Sequence, residues 1–353
     1  MTHKKKLLII QTHFPHYRKY LLTELNKRYE VELLCLNDVK SDHGIDFVRC
    51  IKSYYAFGFL ISPKLHAYVK MSNPDVIIAP ANLRLLNVIL LGTITRFKSL
   101  FIWWGLDRGN IPGSNFLKSL IFKNSNSFLF YAQKALSEFH GSLNKTASLR
   151  VARNTVYVKD FNIESNKRSY FLNVGSLNKR KRNDLLILAF KKYCKSTKRP
   201  LNLVFVGDGS EKQVLLDLAK KEGVSSKVSF FNHLDSSRNE LYTIYSEAVA
   251  SISLGQAGLS ILQSFGHSRP YITLKNAISG GELENIIDGY NGFICNDLKH
   301  VIEKMVECTE DHKLRLRLEK NCSEYYRNRA SMPILVSTFI EAVDEILESR
   351  GLH

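Results

Sequence analysis

The most informative stretch of the sequence is SLGQAGLSILQSFGHSRPYITLKNAISGGELENIIDGYNGFIC, residues 253–295. An apolar strand ends at Ser253, a turn with two glycines follows, and a helix begins near Gly258. Glycine lets a backbone approach a ligand closely, and the free amides at a helix start favour an anion. The segment therefore predicts a phosphate site. A plain strand-to-helix turn is the alternative that the segment alone leaves open.

The alternation of strands and helices extends upstream of this segment. Short runs rich in β-branched or aromatic residues predict strands at 170–174, 203–206, 227–231, 249–253 and 271–274. Residues with helical spacing lie between them at 184–194, 211–222 and 258–266. This alternation predicts an α/β domain with a doubly wound parallel sheet and helices on both faces.

The first half of the chain repeats the pattern. Strands are predicted at 7–11, 31–35, 75–79, 100–104 and 128–131, with helices at 17–28 and 83–96. A polar stretch near 154–167 separates the halves, so we expect two Rossmann-like domains, residues 1–155 and 166–330, facing each other across a cleft. Residues 331–353 are expected to form a helix that crosses back to the first domain.

Composition narrows the class of protein. The chain of 353 residues has a net charge of +17, and residues 1–150 hold 21 Lys and Arg against 9 Asp and Glu. Such an excess favours polyanions, anionic lipid headgroups or phosphorylated ligands without choosing among them. Six scattered cysteines and the lack of a long apolar run predict a cytoplasmic protein that is soluble or peripheral on the inner face of a membrane.

The segment 253–295 resembles the donor-binding segment of the GT-B glycosyltransferases, in particular the retaining family 4 of bacterial surface-polysaccharide type. The order and spacing of several pieces carry the resemblance. They are Gly258-Leu259 at the helix start, Ser268-Arg269-Pro270 at its exit, Gly280-Gly281 with Glu284 in the next loop, and the turn 288–292. The resemblance implies a nucleotide diphosphate sugar as donor.

Three positions depart from the family's pattern. Gly255 and Gln263 stand where the family has two glutamates, and Ser176 stands where it has an arginine. Gln263 can still hydrogen-bond ribose hydroxyls. Either Glu282 or Glu284 could supply the missing carboxylate. These departures keep open a catalytically degenerate GT-B binding subunit, alongside a nucleotide-sugar epimerase on the same two-domain plan.

The resemblance also implies the donor-site residues. The stretch 171–190 is similar to the family's segment whose lysine clamps the diphosphate, and that lysine corresponds to Lys181. A cation there stabilises the charge of the leaving diphosphate. The expected donor contacts are Gly175, Ser176, Arg180, Lys181, Gly207, Phe231, Asn232, His233, Gly255, Gln256, Ala257, Gly258, Leu259, Ser260, Gln263 and Glu284.

Acceptor contacts are expected from the first half. The stretch HFPHYRKYLL follows the first strand and places His13, His16, Tyr17 and Arg18 at the edge where ligands bind, although an exposed basic helix cap explains it equally well. Arg108 is a further candidate, after the buried strand FIWW. We predict catalytic roles for Asp107, Lys181 and Glu282.

No metal or cofactor is expected. The sequence shows no Asp-x-Asp pair at a strand end of the kind that holds a manganese-bound diphosphate. A UDP-sugar is favoured over a GDP-sugar as the substrate. The resemblance implies attack on the face that the diphosphate leaves, with the leaving phosphate taking the acceptor's proton.

Two segments, 53–70 and 112–124, interleave aromatic and aliphatic residues with lysines. This composition predicts either contact of the first domain with an anionic membrane or core aromatics beside solvated lysines. Membrane contact would suit a lipid-linked glycan acceptor. Nucleic acid is not an expected partner, because the sequence holds no recognisable nucleic-acid-binding module.

Overall fold

A computed structural model describes residues 4–14, 16–37, 45–106, 113–159, 167–232 and 240–351. The chain forms two compact units. The first contains Met1–Asn154 together with Met332–His353, and the second contains Thr155–Ser331.

The first unit is built on a seven-stranded parallel sheet. The described residues of this half form nine strands: β1 (Lys6–Gln11), β2 (Glu30–Cys35), β3 (Val48–Cys50), β4 (Tyr54–Ala56), β5 (Phe59–Ile61), β6 (Val76–Pro80), β7 (Phe101–Trp104), β8 (Ser127–Phe130) and β9 (Ser148–Val151). The order in the sheet is β3-β2-β1-β6-β7-β8-β9. Strands β4 and β5 form a separate antiparallel hairpin.

Helices cover both faces of this sheet. They are α1 (Lys19–Arg28), α2 (Leu65–Ser72), α3 (Leu86–Thr93), α4 (Ser114–Phe122) and α5 (Gln133–Phe139), with short 3₁₀ helices at His16–Arg18, Arg96–Leu100 and His140–Ser142. The buried sides of α2, α3, α4 and α5 share one apolar cluster on one face. Helix α1 packs in the cluster on the opposite face.

The second unit has a six-stranded parallel sheet. Its strands are β10 (Tyr170–Val174), β11 (Asn202–Val206), β12 (Val228–Phe231), β13 (Ala248–Ser253), β14 (Tyr271–Leu274) and β15 (Gly292–Cys295). Their order, β12-β11-β10-β13-β14-β15, is the 3-2-1-4-5-6 order of the Rossmann fold. The order reverses between β10 and β13, which defines the switch point of this sheet.

The helices of the second unit are α6 (Asn183–Ser196), α7 (Lys212–Lys221), α8 (Glu240–Ser246), α9 (Ser260–Gly266), α10 (Leu298–Glu310) and α11 (His312–Tyr325). Short 3₁₀ helices lie at Lys179–Lys181, Ser225–Lys227 and Glu282–Asn285, and a π-helical turn at Tyr326–Ala330 follows α11. Among the described residues, no helix is long and apolar enough to cross a membrane.

The last helix, α12 (Met332–Ser349), packs on the first unit. Its apolar stripe joins the cluster that contains α1, and the ring of Phe339 lies 4.8 Å from that of Trp104. Asp344 accepts hydrogen bonds from Arg28 and Tyr29 at 2.7 Å each. The C-terminal helix therefore completes the core of the unit in which the chain begins.

The expected fold class of two Rossmann-like units with parallel sheets is confirmed. The helix predicted at 83–96 is shorter, because Leu85 pairs with Leu60 and Thr95 caps a separate 3₁₀ helix. Five short strands were not predicted: β3, β4, β5, β9 and β15. The helix predicted from residue 17 begins at Lys19, since residues 16–18 are a 3₁₀ turn.

Candidate functional site

A cavity of about 440 Å³ lies at the carboxyl edge of the second sheet, beside its switch point. Loops diverge at such a point and leave room for a ligand. The lining comes from the ends of β10 and β11, the basic loop before α6, and helices α8 and α9. The residues are Val174, Gly175, Ser176, Lys181, Val206, Gly207, Asp208, Leu241, Leu259, Ser260 and Gln263.

Two glycines bring the ends of β10 and β11 into direct backbone contact. Gly175 and Gly207 both have φ of +142°, a conformation that side chains disfavour. A Cβ atom at position 207 would lie 2.1 Å from the carbonyl oxygen of Gly175. Glycine is therefore required at position 207, and the two loops together form one wall of the cavity.

The 3₁₀ helix at 179–181, which we call the basic turn, carries a lysine into this cavity. Asn178 starts the turn, because its side chain accepts a hydrogen bond from the backbone of Arg180 at 3.1 Å. The ammonium of Lys181 donates to the carbonyl oxygen of Gln256 at 3.2 Å. It also lies beside Gly175, where an added Cβ would be 3.4 Å from Nζ. Arg180 itself is exposed.

Lys181 is a half-buried cation with no carboxylate at ion-pairing distance in the part of the chain that the structure describes. Burial lowers the pKa of its ammonium from 10.5, and Arg180 lowers that pKa further, while Glu282 opposes the shift. The negative charge of an anion in the cavity would raise this pKa and so offset the effects of burial and of Arg180. The electrostatics of the site therefore favour a phosphorylated ligand.

The structure revises the expected roles of Gly255 and Ala257. A Cβ at position 255 would lie 2.3 Å from the carbonyl oxygen of Arg180, so glycine makes room for the basic turn rather than for a ligand. The N–H of Gly255 donates to the Lys181 carbonyl at 3.1 Å, and that of Ala257 donates to Ile278 at 3.0 Å. Neither amide is available to a phosphate. Ala257 is fully buried.

Seven of the predicted donor contacts line the cavity together: Gly175, Ser176, Lys181, Gly207, Leu259, Ser260 and Gln263. The sequence analysis missed four others. Asp208 could have been found from the Gly-Asp-Gly turn after β11, whereas Val174, Val206 and Leu241 give no signal beyond ordinary apolar residues. Arg180, Gln256 and Gly258 adjoin the site without lining it.

The two candidate carboxylates lie in the loop after β14. Glu282 accepts hydrogen bonds from the backbone of Gly280 at 2.8 Å and from the hydroxyl of Ser279 at 3.1 Å. Its carboxylate therefore holds the Gly-Gly loop and still acts electrostatically on Lys181. Glu284 is exposed. Neither lines the cavity.

The expected base-binding residues lie at the end of β12. The carbonyl of Phe231 accepts a hydrogen bond from Gly207 at 3.0 Å, and its ring is exposed. The side chain of Asn232 accepts from Lys212 at 2.6 Å. His233 lies outside the described residues, so its contact with a base stays a prediction.

The predicted acceptor residues separate into two groups. His13 and His16 are exposed, and Tyr17 is half-buried. Arg18 is only 7% exposed and donates to the Gln11 side chain at 2.7 Å and to the Tyr131 hydroxyl at 3.0 Å. Its guanidinium carbon lies 3.8 Å from the centre of the Trp104 ring.

These contacts give Arg18 a structural role at the carboxyl ends of β1, β7 and β8. Asp107 and Arg108, the other candidates of the first unit, lie outside the described residues. Among the described residues, no cluster of three or more His, Cys, Asp or Glu could hold a metal ion.

Part of the chain matches a known protein family. Residues 158–325, a little under half of the chain, match the family model described as "Glycosyl transferases group 1". The matched region includes all the residues that line the cavity. No curated protein sequence matches the chain.

Solved structures match along nearly the whole chain. The Anabaena protein HepE in complex with UDP has a TM-score of 0.74 at 15% identity, with 97% of this chain and 100% of that chain covered. Sucrose-phosphate synthase from Thermosynechococcus elongatus has a TM-score of 0.71 at 14% identity, covering 98% and 100%. The pneumococcal O-GlcNAc transferase GtfA in complex with UDP and GlcNAc has a TM-score of 0.71 at 11% identity, covering 98% and 99%. These matches show that the fold is GT-B.

Proposed function

We propose that this GT-B protein is a glycosyltransferase that transfers a hexose from a UDP-sugar to a glycan or lipid-linked glycan acceptor, as the match of residues 158–325 to the family of group 1 glycosyl transferases supports. The donor's diphosphate would occupy the cavity at the switch point of the second sheet. The reaction would serve surface polysaccharide synthesis on the cytoplasmic side of a membrane.

The position of Lys181 carries the proposal. The ammonium is half-buried at the carboxyl edge of the sheet, and its one hydrogen bond within the described residues goes to a neutral carbonyl oxygen. A diphosphate supplies the anion that would offset the lowered pKa of this lysine. Because Gly175 and Gly207 bring their backbones to the same wall, phosphate oxygens can approach closely.

UDP is the proposed nucleotide. HepE was solved with UDP and with UDP-glucose, and GtfA was solved with UDP and GlcNAc. Gln263 lines the cavity on α9, where an amide can both donate to and accept from ribose hydroxyls. The base would lie near the exposed ring of Phe231 at the end of β12.

The proposed reaction is metal-independent and retaining. The acceptor hydroxyl would form a bond to the anomeric carbon on the face from which the diphosphate leaves. The bond between that carbon and the β-phosphate oxygen breaks, and the acceptor proton passes to the leaving phosphate, giving UDP. Lys181 would stabilise the charge that develops on the diphosphate. No protein nucleophile is required.

One observation favours a second candidate, a binding subunit without turnover. The position of the family's first glutamate is closed by the basic turn against Gly255, and Glu282 is engaged by Gly280 and Ser279. A carboxylate beside the sugar would then have to come from a residue outside this loop.

Incubation with UDP-hexoses tests turnover and separates the candidates. Sugar transfer predicts UDP release that rises with an added glycan acceptor and falls in Lys181→Ala. An epimerase would convert the donor sugar without an acceptor. A binding subunit would bind UDP and release none from any UDP-hexose, which would refute the proposed reaction while leaving the donor site intact.

A further inference from the structure

Exposed apolar side chains are concentrated in one part of the first unit. Among the described residues, 18 large hydrophobic side chains are exposed, and 11 of them lie between residues 54 and 120. Such concentration differs from the scattered exposed residues of an ordinary surface and marks an interaction site. The eleven are Tyr54, Tyr55, Phe57, Phe59, Met71, Leu86, Leu90, Ile94, Phe116, Leu117 and Leu120.

The hairpin of β4 and β5 presents aromatic rings to solvent. Phe57 is 101% exposed and forms the turn with Gly58, at φ of +50° and +80°. A left-handed conformation is unusual for a bulky residue, and glycine or asparagine normally fills such a turn. The hairpin therefore carries a fully exposed ring at its tip, where the ring adds no buried apolar area to the folded state.

Two helices continue this surface. Leu86, Leu90 and Ile94 recur at intervals of four along and just past α3, so they form one exposed stripe. Phe116 and Leu120 share the same spacing on α4. The buried sides of the hairpin, α2, α3 and α4 belong to one apolar cluster, which places these elements on one face of the sheet.

Basic side chains surround the apolar ones. Residues 52–123 contain nine Lys and Arg but only two Asp and Glu. Six of the nine are exposed in the described part of the chain, and none of the six forms an ion pair there. These six are Lys52, Lys64, Lys70, Arg84, Lys98 and Lys123.

We propose that this surface, the outer side of the hairpin, α2, α3 and α4, docks on an anionic lipid bilayer. Aromatic rings favour the interface between headgroups and acyl chains, and unpaired lysines favour anionic headgroups. Each cation near such a surface strengthens binding by about fivefold. A second copy of the chain would bring a face of the same charge against this one, which disfavours a dimer.

The docking surface shares no residue with the donor cavity, so the inference does not depend on sugar transfer. It would hold the first unit at the membrane surface, where a lipid-linked acceptor presents its glycan. If the wild type binds UDP but does not bind anionic vesicles, this inference alone is refuted.

Vesicle flotation with the full chain tests the proposal, using phosphatidylcholine vesicles with and without phosphatidylglycerol. We expect the wild type to float with the anionic vesicles and to be released by high salt. The double variant Phe57→Ser/Phe116→Ser should bind at least tenfold more weakly. The variant Lys64→Glu/Lys70→Glu should lose at least tenfold on anionic vesicles, because it reverses two charges. In Phe57→Trp, tryptophan emission should shift to the blue when anionic vesicles are added.

Leu316→Ser is the matched control, because Leu316 is an exposed leucine on α11 in the other unit. It should bind vesicles like the wild type. Melting curves check that each variant is folded. Equal binding to neutral and anionic vesicles, or an unchanged emission spectrum in a folded Phe57→Trp, would overturn the proposal. So would a wild-type dimer that Phe57→Ser/Phe116→Ser converts to a monomer, since the surface would then be a protein interface.

Discussion

The backbone N–H of Gly255 donates to the carbonyl oxygen of Lys181 at 3.1 Å. This bond joins the loop after β13 to the basic turn after β10, at the switch point of the second sheet. A second hydrogen bond joins the same two loops, because the ammonium of Lys181 donates to the carbonyl oxygen of Gln256. The two loops therefore position the cation together. They can lie this close only because residue 255 is a glycine.

Gly255→Glu should weaken UDP binding rather than restore an active carboxylate. Any Cβ at 255 would lie 2.3 Å from the carbonyl of Arg180, so the basic turn must shift and move Lys181. We expect at least a tenfold loss of UDP affinity by calorimetry and a stability loss of about 1–3 kcal/mol. Gly258→Ala is the matched control, because an added Cβ there meets nothing within 4 Å. Tighter UDP binding in Gly255→Glu would contradict this account.

UDP binding should weaken as the pH rises through the lowered pKa of Lys181. Only the ammonium form pairs with a diphosphate, and burial makes this ammonium lose its proton below the ordinary 10.5. Above that lowered pKa, affinity should fall by up to about tenfold per pH unit. Lys181→Met should remove this dependence, and Arg182→Gln, at an exposed neighbour that pairs with Asp184, should keep it. The same pH profile in Lys181→Met would assign the titration to another group.

Glu319→Gln should strongly destabilise the second unit. Its carboxylate accepts two hydrogen bonds from Arg168, at 2.8 and 2.9 Å, and pairs with the buried Arg269 at 2.5 Å. Loss of its charge leaves two guanidinium groups uncompensated, which costs about 3–5 kcal/mol. Glu324→Gln, on the same helix but in an exposed pair with Lys320, should cost less than about 1 kcal/mol. Equal denaturation midpoints for the two variants would contradict the prediction that Glu319→Gln is the more destabilising.

Stability should fall as the pH drops below 6.5, partly because of His267. Its ring stacks on Tyr245 at 4.3 Å, and burial, then Arg269, lowers its pKa to about 3. Below pH 6.5 the unfolded chain therefore binds a proton that the folded chain does not bind. The free energy of unfolding then falls by up to about 1.4 kcal/mol per pH unit. The free energy of unfolding, measured with urea at pH values from 6.5 to 5, should fall less steeply with decreasing pH in His267→Gln than in the wild type. The exposed His312→Gln should keep the wild-type slope.

The sequence predicted the sheets because buried parallel strands are continuous apolar runs, such as Phe101–Trp104. It did not predict the hairpin of β4 and β5, whose rings are exposed and show no apolar alternation. Lys181 and Gly175 were found from a family motif. The steric role of Gly255 could not be found in this way, because it depends on a contact with residues some 75 positions upstream.

Calorimetric titration of UDP into the wild type and Lys181→Ala tests the central claim most directly, that a nucleoside diphosphate binds the cavity of the second unit. A charge-assisted hydrogen bond contributes about 1.5–3 kcal/mol. We therefore predict micromolar affinity for the wild type and a loss of about tenfold to a hundredfold in Lys181→Ala. Equal affinity in the two proteins, or no UDP binding by the folded wild type, would contradict the account.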